Sequence, residues 1–241
     1  MTAALFLWDD LTTDEVELSG PEGRHAATVR RVRVGEAVDL ADGRGTRAHC
    51  TVLSLGHDVV RLRVDAREHE PEPAPRVLLV QALAKGDRGE LAVELATEVG
   101  VDEVVPWQAE RCIVKWEGPR GEKALGRWRS TAREAGKQSR RARHPVVGPW
   151  VSTDELLARV ATTPTLLLHE GAAAPLASVP LPASGDLLLV VGPEGGITDR
   201  ELERLTDVGA VAVRLGSSVV RTSTAGAVAL AVVSARTSRW A

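Results

Sequence analysis

The stretch Asp186-Leu-Leu-Leu-Val-Val-Gly-Pro-Glu-Gly-Gly-Ile197 decides the fold class. After Asp186 it is continuously apolar to Val191, too short for a helix and not alternating. That pattern predicts a strand over Asp186–Val191 buried on both faces. Glycine and proline break it at once, and a helix start follows: Thr198, with Glu201 three residues on, forms a capping-box pattern for a helix over Thr198–Asp207. The same rhythm extends both ways. Strands are expected over Val77–Leu83, Val104–Trp107, Thr165–His169 and Val211–Leu215. Helices are expected over Arg88–Val99, Lys123–Arg143, Asp154–Ala161 and Thr222–Arg236. In the first of these helices, residues 91, 92, 95, 96 and 99 are apolar at helical spacing, and Gly100 ends it. Alternating strands and helices imply an α/β domain with a largely parallel sheet covered on both faces.

Working back toward the start, the rhythm changes. Short β-like runs cover Ala4–Trp8, Val38–Leu40, Ala48–Leu55 and Val59–Val64, with Gly56-His57-Asp58 as a hairpin turn between the last two. One helix is expected around Pro21–Val32, with Val29 and Val32 facing inward. Such a set suggests a small β-barrel. Pro71, Pro73 and Pro75 then fall within five residues, the density of a semi-rigid linker. The expected division is therefore 1–70 for the barrel, 71–75 for the linker and 76–241 for the α/β domain.

Composition narrows the classes. Hydrophobic residues at 44% and charged ones at 26% describe a globular chain, not a disordered or collagen-like one. No apolar run approaches the roughly 20 residues that span a bilayer. The opening MTAALFLWDDLTTDE lacks a basic n-region and is not read as a signal peptide, so a soluble cytoplasmic protein without membrane partners is expected. Cys50 and Cys112 are far apart and fit no metal spacing. Net charge is −3, so any polyanion binding must come from local patches. Two exist. Arg127 to Arg143 carries seven basic residues against Glu134, and Arg133, Lys137, Arg140 and Arg141 are spaced to share one helix face. Arg24, Arg30, Arg31 and Arg33 form the second. Phosphate positioning competes here with a merely solvated surface.

In open α/β sheets ligands bind beyond the carboxyl ends of strands. Three such ends are rich in special residues: Leu167–Gly171, Val190–Gly196 and Arg214–Ala225. Their glycines let backbone approach a ligand without an intervening Cβ. The chain has no G-x-x-x-x-G-K-[ST] loop, no G-x-G-x-x-G fingerprint and no G-x-S-x-G elbow, so a cofactor site would be of another kind.

Val191-Gly-Pro-Glu-Gly-Gly-Ile197 followed by Leu215-Gly-Ser-Ser-Val-Val-Arg-Thr-Ser-Thr-Ala225 resembles the SPOUT methyltransferases, and more narrowly the bacterial 16S rRNA (uracil-N3)-methyltransferase family, RsmE. Lys85-Gly-Asp-Arg88, Ala96–Val101, Glu110-Arg111, Arg127-Trp128, Gln138-Ser-Arg140 with Pro145, Arg24-His25 and Val29–Arg33 fall in the family's order, so the likeness covers nearly the whole chain. It implies a PUA-like β-barrel followed by a SPOUT α/β domain with a deep trefoil knot. It also implies S-adenosylmethionine as cofactor, a homodimer, and 16S rRNA, within the 30S subunit, as the partner. Carried over residue by residue, the cofactor positions are Leu168, His169, Gly192, Pro193, Gly195, Gly196, Leu215, Gly216, Val219, Val220, Thr224 and Ala225. Arg221 becomes the candidate to stabilise a uracil anion, and Glu194 a candidate base or orienting carboxylate. RNA contacts are assigned to Arg24, His25, Arg30, Arg31, Arg33, Lys85, Arg88, Arg111, Arg133, Lys137, Gln138, Arg140 and Arg141. Ser223 departs from the pattern, since many relatives have glutamate there. The competing functions are ribose 2′-O-methylation and a non-catalytic RNA-binding module for ribosome assembly.

Overall fold

A computed structural model describes residues Ala3–Trp240. Two compact units emerge. One holds the residues up to Glu72 together with Gly136–His144; the other holds Pro73–Ala135 and the chain from Pro145 onward.

The first unit is built from β1 (Ala4–Leu7), β2 (Glu15–Leu18), α1 (Gly20–Arg24), one π-helical turn over His25–Val29, β3 (Ala37–Ala41), β4 (Thr46–Leu55) and β5 (Val60–His69). Its five strands run in the order β1-β3-β4-β5-β2, with β1 parallel to β3 and every other pair antiparallel. Alternation explains the core: Val60, Leu62 and Val64 of β5 are buried while Arg61 and Arg63 face out. Asp58 takes a left-handed conformation (φ 58°) in the β4–β5 turn, a position aspartate tolerates.

Three expectations need correction here. The helix expected to run to Val32 is α1 plus the π turn, because the Arg30 N–H bonds to the carbonyl of His25 five residues back. That widening turns Val29 out, 67% exposed, and leaves only Val32 inside. The short strand β2 is absent from the expected set because its four residues, EVEL, give too brief an alternation. Finally, Gly136–His144 groups with this unit and not with the α/β unit. Backbone bonds from Gly45 N–H to Ala142 O (3.0 Å) and from His144 N–H to Gly43 O (2.9 Å) tie it there.

The second unit contains β6 (Arg76–Ala82), α2 (Arg88–Val99), β7 (Glu103–Gln108), α3 (Gly118–Gln138), β8 (Val146–Val147), β9 (Val151–Ser152), α4 (Thr153–Val160), β10 (Thr165–Leu168), β11 (Ala174–Pro175), β12 (Asp186–Val191), α5 (Asp199–Asp207), β13 (Val211–Arg214) and α6 (Thr222–Ala235). The last residues of α3 belong to the first unit. All strand pairs are parallel, in the order β11-β13-β10-β12-β6-β7-β8, with β9 also on β7. The α/β reading with a parallel sheet therefore holds. Central strands β6 and β12 are buried along almost their whole length, as their continuous apolar sequence requires. Helix α6 packs on α2 and across β6 and β12. Its Gly226 permits that approach, since a Cβ there would lie 2.9 Å from the Leu79 methyls. Arg239 anchors the chain beyond α6 through Asp102 Oδ2 at 2.7 Å and the Pro75 carbonyl at 2.7 Å. Trp107, Trp116 and Trp128 are buried core fillers, and Trp116 meets Trp128 edge to face at 5.0 Å. No helix among the described residues is long and apolar enough to cross a membrane.

Helix α3 ends at Gln138, not Arg143, and Arg140 beyond it is left-handed (φ 57°). Arg133, Lys137, Arg140 and Arg141 therefore do not share one helical face.

In the first unit, His49 Nδ1 lies 2.8 Å from Asp39 and Nε2 lies 3.0 Å from Glu68. Hydrogen bonds to Glu68 and then Asp39 raise its pKa above the usual histidine range. A raised folded-state pKa gives stability that is complete below the unfolded value and is lost as pH rises through the folded one. The ring is 40% exposed and screened, so the pair is worth about 0.2–1 kcal/mol. His49→Gln should thus melt roughly 1–3 °C below the unsubstituted protein at pH 5.5, with the gap closing by pH 9. Thermal melts across that range check the prediction; a constant gap would contradict it.

Candidate functional site

A cavity of about 630 Å³ opens in the second unit at the carboxyl ends of β10, β12 and β13. Three loops wall it: Leu168–Glu170, Gly192–Ile197 and Arg214–Arg221. They are where the sequence sets its glycines, because a parallel sheet delivers every strand's end to the same edge. Of the expected cofactor positions, Leu168, His169, Gly192, Pro193, Gly195, Gly196, Leu215, Gly216, Val219, Val220 and Ala225 line the cavity. Thr224 does not; its amide donates to the Arg221 carbonyl at 2.9 Å inside the first turn of α6. Ser223 is buried.

Local geometry explains why these loops hold their shape. A Cβ on Gly192 would lie 2.6 Å from Ile197 Cγ1, so the loop folds back on itself only with glycine there. Gly196 adopts φ 75°, which favours glycine. A Cβ on Gly216 would meet nothing within 4 Å, and the residue presents bare backbone to the cavity. Behind the wall, fully buried Gln81 donates from Nε2 to Thr222 Oγ1 at 3.1 Å, and the Thr222 hydroxyl donates to the Gly192 carbonyl at 2.6 Å. This relay joins β6, the start of α6 and the glycine loop. His169 Nδ1 accepts the Gly171 N–H at 3.1 Å, which fixes the ring against its own loop.

The charged groups divide by partner. Glu194 Oε1 accepts the Lys85 backbone N–H at 3.1 Å and faces Arg88 at 3.6 Å. Arg111 Nη1 donates to the Gly195 carbonyl at 3.2 Å. Arg214 donates to the carbonyls of Ala172 (2.9 Å) and Ala173. Arg221, at the N-cap of α6, has an exposed guanidinium with no ion-pair or hydrogen-bond partner among the described residues. The site is thus rich in cations, with one left uncommitted. No cluster of metal-ligating side chains occurs among the described residues. Both cysteine thiols are pushed up by burial, Cys50 to about 12, which makes neither a nucleophile.

Other assigned RNA residues scatter. Arg88 and Arg111 line the cavity, and Lys85 lies beside it through its backbone. In the first unit, Arg30, Arg31 and Arg33 are exposed, Arg24 pairs with Asp58 at 3.2 Å, and His25 stacks edge-on against Phe6 at 5.7 Å. Gln138 and Arg140 are exposed near the end of α3, Arg133 is an exposed residue within it, and Arg141 is half-buried. Lys137 is a correction: its ammonium bonds Glu22 at 2.8 Å, with both side chains about nine-tenths buried (10% and 11% exposed), so it is not presented to a ligand. Gln81, Thr222 and Arg214 are not among the site residues assigned from the sequence, although Arg214 and Thr222 fall within the third glycine-bearing strand end. Gln81 carries a signal of its own, as a polar residue inside an otherwise apolar strand.

These features define an enzyme-like cofactor cleft at the edge of a parallel sheet. The RNA methyltransferase domain model matches residues 70–234, and the RNA methyltransferase PUA domain model matches residues 18–65. The chain belongs to the RNA methyltransferase family that carries these two domains, and its relatives within it bear the name ribosomal RNA small subunit methyltransferase E. The protein of that name from Mycobacterium tuberculosis is 50% identical over all of this chain and 94% of its own length. The Bacillus subtilis one is 31% identical over 95% of each. A crystal structure of the Neisseria gonorrhoeae enzyme bound to S-adenosyl methionine superposes with a TM-score of 0.87 at 28% identity, covering 98% of each chain. The PUA-like character of the first unit follows from the family.

Deleting the hydroxyl of the buried relay should be costly. Thr222→Val takes the hydroxyl donor from the Gly192 carbonyl and leaves the Gln81 amide only its 3.3 Å bond to the Ala82 carbonyl, a loss of about 1–3 kcal/mol in denaturant unfolding. Thr222→Ser, which keeps the hydroxyl, should recover most of it. Equal stability of the valine and serine variants would show that the relay contributes nothing.

Proposed function

We propose that this chain is an S-adenosylmethionine-dependent methyltransferase that modifies N3 of one uridine in 16S rRNA of the small ribosomal subunit. The observation that carries the reading is the glycine-walled cleft with the uncommitted Arg221 at its rim. Support for the cofactor comes from the wall itself. Backbone at Gly192, Gly195, Gly196 and Gly216, with the side chains of Leu168, Leu215, Val219, Val220 and Ala225, offers amides, carbonyls and apolar surface to a nucleoside. His169 and Pro193 complete that wall. When bound, S-adenosylmethionine supplies an electrophilic methyl group.

The chain's own residues then have three tasks. The uracil must be unpaired and turned into the cleft, because N3 is otherwise occupied in base pairing. Arg221 holds the ring oxygens as negative charge develops on loss of the N3 proton, a charge-assisted contact that its planar fork suits. Glu194, steadied by Arg88 and the Lys85 amide, is the carboxylate that takes the proton or orients the base. Alignment does much of the remaining work. Arg30, Arg31 and Arg33 of the PUA-like unit contact phosphates and position the RNA without choosing the base. Arg88 and Arg111 add positive charge at the cleft itself.

Further parts of the reading rest on the family resemblance: a trefoil-knotted backbone in the second unit, a homodimer with its active site at the subunit interface, the 30S particle as substrate context, and work in the cytoplasm. So does the assignment of RNA binding to the first unit and of methyl transfer to the second.

The test is methyl transfer to 16S rRNA, naked and in 30S particles, from cells lacking the gene, followed by mass analysis of the digested RNA. A methyl on uracil N3 is expected; ribose methylation or no transfer would overturn the reading. Arg221→Lys should lower kcat on the order of 10²-fold while cofactor affinity stays. Near-normal turnover would remove Arg221 from catalysis.

A further inference from the structure

Among the described residues, the second unit fully buries one acid that no cation neutralises. Asp102 meets Arg239 at 2.7 Å. Glu201 is fully buried and has no ion pair among the described residues. Removing a carboxylate from water without a counter-ion is expensive, and it persists only where several donors replace the lost hydration.

Those donors come from three separate segments. The Glu110 N–H reaches Glu201 Oε1 at 2.9 Å, and so does the Thr153 hydroxyl, at 2.9 Å. Thr153 in turn accepts the Trp107 indole N–H at 3.2 Å. Oε2 accepts the Thr198 N–H at 3.3 Å, the capping-box bond at the head of α5. An ordinary capping box would need only the last of these. The additional bonds fasten the chain just past β7 and the head of α4 to the first turn of α5, which follows the glycine loop.

Next to Glu110 stands Arg111. Its Nη1 donates to the Gly195 carbonyl at 3.2 Å, and its Cβ lies 3.2 Å from where a Gly195 Cβ would be. Arg111 therefore lies across the loop that walls the cleft, and the backbone amide of its neighbour Glu110 is held by Glu201. We propose that Glu201 is a positioning residue that fixes the Gly192–Ile197 loop for cofactor through Glu110 and Arg111, outside the cleft itself. The proposal rests on the methyltransferase reading. It gives Arg111 a different duty from RNA contact.

A double-mutant cycle on the full chain tests it, with S-adenosylmethionine affinity read by calorimetry. Glu201→Gln puts an amide donor opposite one of the present donors, so it should weaken binding on the order of 10-fold. Arg111→Ala should do the same. If Glu201 works through Arg111, the double variant should bind no more weakly than the poorer single variant. Losses that multiply to roughly 100-fold, or no loss in Glu201→Gln, would overturn the proposal. Should Glu201→Gln fail to fold, Thr153→Val deletes one donor and leaves the carboxylate, and the same cycle is run with it. Amide hydrogen exchange supplies a readout without cofactor. Exchange should rise in 109–112 and 192–197 of Glu201→Gln while β6 and β12 stay protected; a uniform rise would mean a purely structural role. If the unsubstituted protein binds no S-adenosylmethionine, the methyltransferase reading fails, and the exchange pattern alone decides the clasp.

Discussion

The parallel pairing of β12 with β6, in the register Asp186↔Arg76 through Val191↔Gln81, is the constraint from which the site is built. It places the end of β12 beside the end of β6, so Gly192 emerges next to Gln81 and Glu194 reaches back to the Lys85 amide. A slip of one residue would turn Gln81 to the other face of the sheet and strand its amide in apolar surroundings. The register is thus enforced twice, by two apolar faces and by one buried polar relay. Because β10 pairs with the other side of β12 and β13 pairs with β10, the remaining walls of the cleft follow from the same strand.

Within that frame the charges are sorted before any ligand arrives. Glu194 is occupied by Arg88 and a backbone amide, Arg111 by the Gly195 carbonyl, and Arg214 by two carbonyls. Had Arg221 paired with Glu194, its guanidinium would not be free to meet a developing anion. The pairing of Glu194 with Arg88 avoids this, and it keeps the carboxylate steady at the rim. Preorganised groups of this kind need little rearrangement as charge develops.

Much of this is legible in the sequence, for identifiable reasons. Continuous apolar runs such as Leu187–Val191 have one physical solution, a doubly covered strand, and the Thr198–Glu201 capping box forms as its spacing predicts. Gly192 and Gly196 are visible because a close approach at the first and a left-handed φ at the second favour glycine. Other features are invisible. The π turn at His25–Val29 and the early end of α3 depend on tertiary contacts that override helical spacing. The spacing of Arg133, Lys137, Arg140 and Arg141 reads as one basic face, yet the helix stops at Gln138 and Lys137 is drawn inward by Glu22. No local pattern announces a partner 115 residues away. Glu201 reads as a cap alone, since its other donors come from distant segments.

The arginine content has a similar lesson. Arg236 donates to the Leu176 and Val179 carbonyls, Arg239 to Pro75 and Gly100, and Arg67 to Leu11 and Thr13. Each replaces a hydrogen bond that an irregular backbone would otherwise lack, a task suited to a planar group with five donors. Part of the abundant arginine in a chain of net charge −3 is therefore internal scaffolding. What distinguishes an arginine that meets a ligand is not its number in the composition but its lack of an internal partner. By that measure, among the described residues, Arg30, Arg31 and Arg33 on the first unit and Arg221 at the cleft stand apart from arginines that hold loops. A chain that is acidic overall can bind a polyanion because uncommitted cations remain where a ligand can reach them, while other arginines are spent holding loops in place.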